Sequence, residues 1–393
     1  MISEEEALAA VLEKVRALSP KKAALLDSLG QFAAGDVWAQ RPLPPFDNSA
    51  MDGYAVQSAS CRAGAKLRVT GEQPAGADRC LTIQAGEAIR IFTGAPMPAG
   101  ADAVIMQEEV TREGATIVAQ CDVELGDFVR RKGVDLAEGQ RVLARGEPIA
   151  AQTLALLASQ GIGEIEVGGR PTVAIVSTGD ELAPAGSTPQ GGQIFESNSL
   201  MLHALARSAG ADVALVEHCP DDLDQLISLF RRALKTDALI VSGGVSVGDR
   251  DLVKPALREL GVEIDLWRVA IKPGKPFLFG QAEAASVFGL PGNPVSAFVT
   301  FLKFVRPALL KMSGAAEGQL DLRKVPARLS VKISNEGNRP HYLRGSLQDG
   351  FFNPIGRQES HALFGLSRAN ALLRVDRGET LDAGAVAMVE IWD

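Results

Sequence analysis

Two runs, Thr172-Val-Ala-Ile-Val-Ser177 and Ala238-Leu-Ile-Val241, are apolar without the every-second-residue alternation of a half-exposed strand. Continuous hydrophobicity of this kind belongs to strands covered on both faces. Between and around them, residues 198–208 and 222–235 carry helical spacing, and 212–217 reads as a further strand. The alternation predicts a three-layer α/β/α domain with a mostly parallel sheet, which binds ligands at the carboxyl ends of its strands. At ~150 residues per domain, 393 residues call for several cores. Residues 66–142 are rich in Gly and Pro and carry short alternating runs such as Lys66-Leu-Arg-Val-Thr70 and Glu87-Ala-Ile-Arg-Ile91. The expected α/β multidomain chain therefore has a discontinuous, α-rich N-terminal domain (1–48 and 143–170) and an inserted β subdomain (49–142). The α/β domain follows (171–318), then a small, barrel-like β domain (319–393).

The formal charge of -8 and a pI near 5.3 argue against general attraction to nucleic acid, which needs basic surface. The four cysteines, Cys61, Cys80, Cys121 and Cys219, have no C-x-x-C spacing and read as free thiols of a reducing cytoplasm. The start, MISEEEALAAVLEKV, is acidic where a signal peptide is basic, and Ser3 with Glu6 has capping-box spacing. The most apolar later stretch, 295–312, is interrupted by Lys303, Arg306 and Pro307, so no membrane segment is expected.

Two strand ends carry the same kinds of group to one sheet edge. The first is Ser177-Thr178-Gly179-Asp-Glu181; the second is Ser242-Gly243-Gly244-Val-Ser246-Val-Gly248-Asp249-Arg-Asp251. Glycines let backbone N–H groups close around phosphate oxygens, and hydroxyls add donors. Carboxylates beside phosphate need a cation between them, so Glu181, Asp249 and Asp251 point to Mg²⁺. The plainer alternative makes the glycines turn residues and the acids helix N-caps. Ile271-Lys272-Pro-Gly-Lys275-Pro-Phe277 offers two cations to an anion, or is a solvated turn. Gly289-Leu-Pro291-Gly292-Asn-Pro294 sets a helix N-terminus at the same edge, or is only a tight connection. Asp47-Asn-Ser-Ala-Met-Asp52-Gly-Tyr-Ala55 and Arg130-Arg-Lys-Gly-Val-Asp135 are unusual polar stretches elsewhere. With only four histidines and no Ser-His-Asp order, a hydrolase triad or histidine metal site has little support.

FDNSAMDGYAV from Phe46, RIFTGAPMPAGADAVIMQE from Arg90, VSTGDEL, SGGVSVGDRD, IKPGKPF and GLPGNPVSA run in this order through the chain. Together they resemble the signatures of the MoeA family, the molybdopterin molybdenumtransferases, and of the corresponding domain of gephyrin. The resemblance implies four domains, a homodimer, and conversion of adenylylated molybdopterin and molybdate to molybdenum cofactor and AMP with a divalent cation. It assigns active-site positions to Asp52, Thr93, Asp135, Glu181, Asp221, Asp251, Pro291 and Pro294, with Asp222 adjacent to Asp221 as a competitor. Asp249 takes a place where Glu is common in the family. The mechanism expected has Ser177, Thr178, Gly179, Ser242, Gly243, Gly244, Ser246, Gly248 and Gly292 around the pyrophosphate. Glu181, Asp249 or Asp251 would hold Mg²⁺, and Lys272 and Lys275 would attract molybdate. Expected partners include the upstream adenylyltransferase and downstream molybdoenzyme chaperones. The competing readings are a molybdopterin adenylyltransferase, which resembles residues 171–312 alone, and a non-catalytic scaffold.

Overall fold

The protein is described by a computed structural model covering residues 1–245, 252–283 and 285–392. It has two compact units. One comprises Met1–Gly35, Ala144–Ala155 and Gly163–Asp393; the other comprises Asp36–Leu143 and Leu156–Ile162.

The larger unit is built on a six-stranded sheet. Its elements, after an N-terminal helix α1 (Glu4–Lys14), are β1 (Thr172–Thr178), α2 (Asn198–Ser208), β2 (Asp212–Cys219), α3 (Leu223–Ala233) and β3 (Ala238–Ser242). Then come α4 (Val253–Glu259), β4 (Glu263–Trp267), β5 (Leu278–Gln281), β6 (Ser286–Leu290) and α5 (Pro294–Thr300). The strand order is β2-β1-β3-β6-β5-β4, parallel through β6 and antiparallel at β5 and β4. The mostly parallel sheet expected from the sequence is thus present.

Along β1, Val173 and Ile175 enter one core with Leu202 and Ala206 of α2, while Ala174 and Val176 enter another with Leu226 and Phe230 of α3. Both side-chain parities are buried, which is why the run does not alternate. The run at 212–217 differs. Its strand lies at the sheet edge, and its exposure alternates residue by residue. Helix α1 is closed by the Ser3–Glu6 capping box and adds Ala7, Val11 and Val15 to the core on the α2 side.

The apolar stretch 295–312 folds as α5, a π-helical turn Phe301–Val305 and a further helix Arg306–Met312, nearly all buried. Its hydrophobicity is that of a core segment. Among the described residues, no helix is long and apolar enough to cross a membrane.

The C-terminal part of this unit is a closed barrel of β7 (Arg323–Leu329), β8 (His341–Gln348), β9 (Phe351–Pro354), β10 (Ala371–Val375) and β11 (Val386–Ile391). Phe352, Leu373 and Val389 lie in its core.

The smaller unit contains its own six-stranded sheet, with Gly53–Val56 paired to both Glu87–Ile91 and Ala103–Met106. Tyr54, Val56, Leu67, Ala88 and Ile105 pack beneath it. Gly53 is required by that pairing, since a Cβ there would stand 2.0 Å from the carbonyl oxygen of Ile105.

Candidate functional site

The carboxyl ends of β1, β3 and β6 lie in register, Ser177 beside Ser242 and Ser242 beside Leu290. They open into a cleft of about 710 Å³. Ser177, Thr178, Gly179, Glu181, Asp221, Ser242, Gly243, Gly244, Pro291, Gly292 and Pro294 all line it. Four separate stretches of sequence therefore converge on one site.

Each local geometry has a cause. Gly243 has φ +96° and Gly244 φ +61°, a region that side chains other than hydrogen rarely occupy. A Cβ on Gly243 would stand 2.6 Å from the Thr178 carbonyl oxygen, and one on Gly244 would stand 2.6 Å from Val253 Cγ2. Gly179 has φ +140°, and the Glu181 carboxylate folds back so closely that a Cβ would meet its Oε2 at 2.4 Å. Asn198, at the start of α2, donates from Nδ2 to Ser242 Oγ (2.9 Å) and to the Gly292 carbonyl (2.7 Å), tying three elements together. Glu196 also lines the cleft, and its carboxylate accepts from the Ser199 N–H at 2.8 Å.

One atom stands out. Thr178 Oγ1 is buried and has no hydrogen-bond partner among the described residues. An orphaned buried hydroxyl costs on the order of 1–3 kcal/mol, which a bound phosphate oxygen would recover.

The two neighbouring acids at 221 and 222 divide their work. Asp222 caps α3, its Oδ1 accepting from the Gln225 N–H at 2.9 Å. Asp221 lines the cleft, with its own N–H donating to Asp180 Oδ1 at 3.1 Å. Capping therefore occupies Asp222 and leaves Asp221 at the site.

Ser246, Gly248, Asp249 and Asp251 lie outside the described residues. Lys272 and Lys275 are exposed; Pro276, next along that loop, lines the cleft. Asp52, Thr93 and Asp135 belong to the smaller unit. There the Asp52 carboxylate accepts from Thr93 N–H (2.7 Å) and Oγ1 (2.8 Å), and the amide bond above all lowers its pKa. Arg90 stacks over Tyr54 and Phe92 and donates to the Gly53 carbonyl at 3.0 Å, so the DGYA and RIFTGAP stretches form one structure. Asp135 is exposed. Arg131 and Lys132, its companions in sequence, serve Asp47 instead: Arg131 Nη1 and the Lys132 N–H both donate to it at 2.7 Å.

Sequence reasoning missed Asn198, Glu196, His361 and Arg344. The first three line the cleft. Arg344 is fully buried on β8; its Nη2 donates to the Arg357 and Glu359 carbonyls, while Nε and Nη1 have no partner among the described residues. Nothing in the local pattern of His341-Tyr-Leu-Arg344 marks a buried cation. Beside it, burial first, then the charges of Lys272, Arg344 and Arg339, push His341 down to about 4 from 6.5.

The consequence for stability is directional. An unfolded chain takes up this proton as pH drops through 6.5, whereas the folded chain refuses it until about 4. Stability from neutral His341 is therefore present above pH 6.5 and lost as pH falls through that window, by about 3 kcal/mol. His341→Asn should flatten the acid limb of a urea-unfolding series relative to the parent. An unchanged limb would remove His341 as its source.

Residues 2–161 match the MoeA N-terminal region (domain I and II), 174–311 a probable molybdopterin binding domain, and 326–392 the MoeA C-terminal region (domain IV). The chain belongs to the MoeA family. It is 36% identical over 406 residues to a Mycobacterium tuberculosis protein named molybdopterin molybdenumtransferase 2, covering 100% of both. It is 38% identical over 365 residues to the Nostoc molybdopterin molybdenumtransferase, covering 89% of this chain and 84% of that one. The crystal structure of the Pyrococcus horikoshii molybdopterin biosynthesis MoeA protein superposes with a TM-score of 0.85 at 30% identity over all of both chains.

Among the described residues, no group of three or more His, Cys, Asp or Glu is placed to hold a metal. A closed protein cage is thus not formed by them. Mg²⁺ commonly takes only one or two carboxylates and completes its shell with water and substrate phosphate. Glu181, beside an orphaned hydroxyl and two left-handed glycines, fits that sparser mode.

Proposed function

We propose that the chain inserts molybdenum into adenylylated molybdopterin, giving molybdenum cofactor and AMP. The observation that carries this reading is the Thr178 hydroxyl at the meeting of three strand ends, unpartnered among the described residues, in a cleft that Gly243, Gly244 and Glu181 also line. In this reading the Ser177, Thr178 and Ser242 hydroxyls and the Gly244 N–H hold the phosphoanhydride, while the Gly243 N–H donates to the Leu290 carbonyl at 3.1 Å and fixes the turn. Glu181 holds Mg²⁺, which would supply charge neutralisation at the leaving phosphate oxygen. Asp221 lines the same cleft as a second acid.

Molybdate is drawn by Lys272 and Lys275, two exposed cations of the loop whose Pro276 lines the cleft. The homodimer, receipt from the upstream adenylyltransferase and delivery to molybdoenzyme chaperones belong to the same proposal.

The test incubates purified protein with adenylylated molybdopterin, Mg²⁺ and molybdate, and follows AMP release and reconstitution of a molybdenum-free enzyme. Molybdate-dependent AMP release is expected, with Glu181→Gln lowering it by roughly a hundredfold, the usual weight of one electrostatic contact in a transition state. An intact nucleotide, or Glu181→Gln at parental rate, would sink this assignment. ATP-dependent AMP transfer would instead point to the preceding step.

A further inference from the structure

Ser177 is 1% exposed and lines the cleft, yet its hydroxyl is engaged from behind by His218 on the edge strand β2, with Oγ and Nδ1 3.3 Å apart. The two residues are directly paired across β1 and β2. His218 is exposed and is not among the cleft-lining residues. We propose that His218 is a positioning residue which sets the direction of the Ser177 hydroxyl and makes phosphate binding in the cleft stronger at acid pH. This rests on the reading of the cleft as a phosphoanhydride site.

The argument is a count of donors. A serine hydroxyl has one hydrogen to give and two lone pairs. When His218 Nδ1 carries no proton, it accepts that hydrogen, and Ser177 turns only lone pairs toward the cleft, which repel a phosphate oxygen. When Nδ1 is protonated, it donates to Ser177 Oγ and the serine hydrogen is released toward the ligand. The imidazolium form commits Nδ1 to this role and adds a positive charge one side chain behind the phosphate. The neutral ring must instead select one of its two tautomers.

Glu217, next on β2, is held by Arg232 of α3 through bonds that include Nη1 to Oε1 at 3.1 Å. On the side that β1 and β2 share with α2, the titratable groups of that helix and its lead-in are His203, Arg207 and Glu196. Cys219 closes β2, and beyond the strand ends come Asp180, Glu181, Asp221 and Asp222. Asp180 and Asp222 already accept backbone N–H groups.

The experiment measures AMP affinity for the full chain and for His218→Gln between about pH 8 and 5.5, the range in which histidine gains its proton. The ratio of the two affinities cancels the probe's own ionisation. It should rise toward acid pH to about tenfold in favour of the parent, the weight of one charge-assisted hydrogen bond. By reciprocity, AMP should raise the pH at which the His218 ring titrates in an NMR series. A flat ratio with AMP still bound would overturn the role of His218 and leave the cleft assignment intact. Absence of AMP binding in both proteins would overturn both.

Discussion

Gly243→Ala is expected to cost about 3 kcal/mol of stability and to lower molybdate-dependent AMP release by at least ~100-fold. The backbone at Gly243 has φ +96°, so alanine starts strained. Its methyl would also lie 2.6 Å from the Thr178 carbonyl oxygen and 3.1 Å from Thr178 Oγ1. Both atoms belong to the end of β1, a strand buried on both faces, and the carbonyl oxygen, being backbone, cannot rotate away. Relief comes only by moving the strand end, and with it Gly179 and Glu181. Gly292→Ala is the folding control, because a Cβ there meets nothing closer than Gly243 Cα at 3.8 Å, an ordinary contact. Thermal unfolding and AMP release together decide the matter. A Gly243→Ala protein as stable and active as its parent would mean that the strand ends are not held rigidly against each other.

The features legible in the sequence were those fixed by local rules. Continuous burial of β1 and β3 shows as unbroken hydrophobicity, and the glycine pair at 243–244 shows where the backbone must pass close to Thr178. The edge position of β2 was not legible, because the order of strands depends on crossovers rather than composition. Arg344 was hidden for a related reason: its burial arises from β8 packing beside the 357–359 loop, and a lone Arg in an alternating strand reads as exposed. Asp221 and Asp222 show the limit most sharply. Either could have been the site acid; the bond from the Gln225 N–H to Asp222 and the place of Asp221 in the cleft wall separate them.

Lys303→Met is expected to destabilise the larger unit by about 4 kcal/mol, the scale of a buried ion pair broken on one side. Lys303 lies in the π-helical turn after α5, and its ammonium reaches Glu390 at 2.9 Å and Glu4 of α1 at 3.2 Å. Both carboxylates are buried, at 6% and 5% exposure. Tyr342 donates its hydroxyl to Glu4 at 2.7 Å, and Arg374 stands 3.7 Å from the same carboxylate. Burial alone would lower the Lys303 pKa, but the charges of Glu4 and Glu390 outweigh it and raise the pKa. Methionine matches the volume and removes the charge, leaving two buried acids with only the more distant Arg374, 3.7 Å from Glu4, and the half-exposed Lys324, 4.0 Å from Glu390, among the described cations. Such acids bind protons more tightly folded than unfolded, so the deficit should shrink as pH falls toward about 5. Urea unfolding of parent and variant at neutral and acid pH measures this, and a deficit that does not change with pH would exclude uncompensated carboxylates as its cause. Replacing Lys303 and Glu390 together should recover a large part of the loss, because Glu4 retains Tyr342 and Arg374 while no second acid is left unpaired.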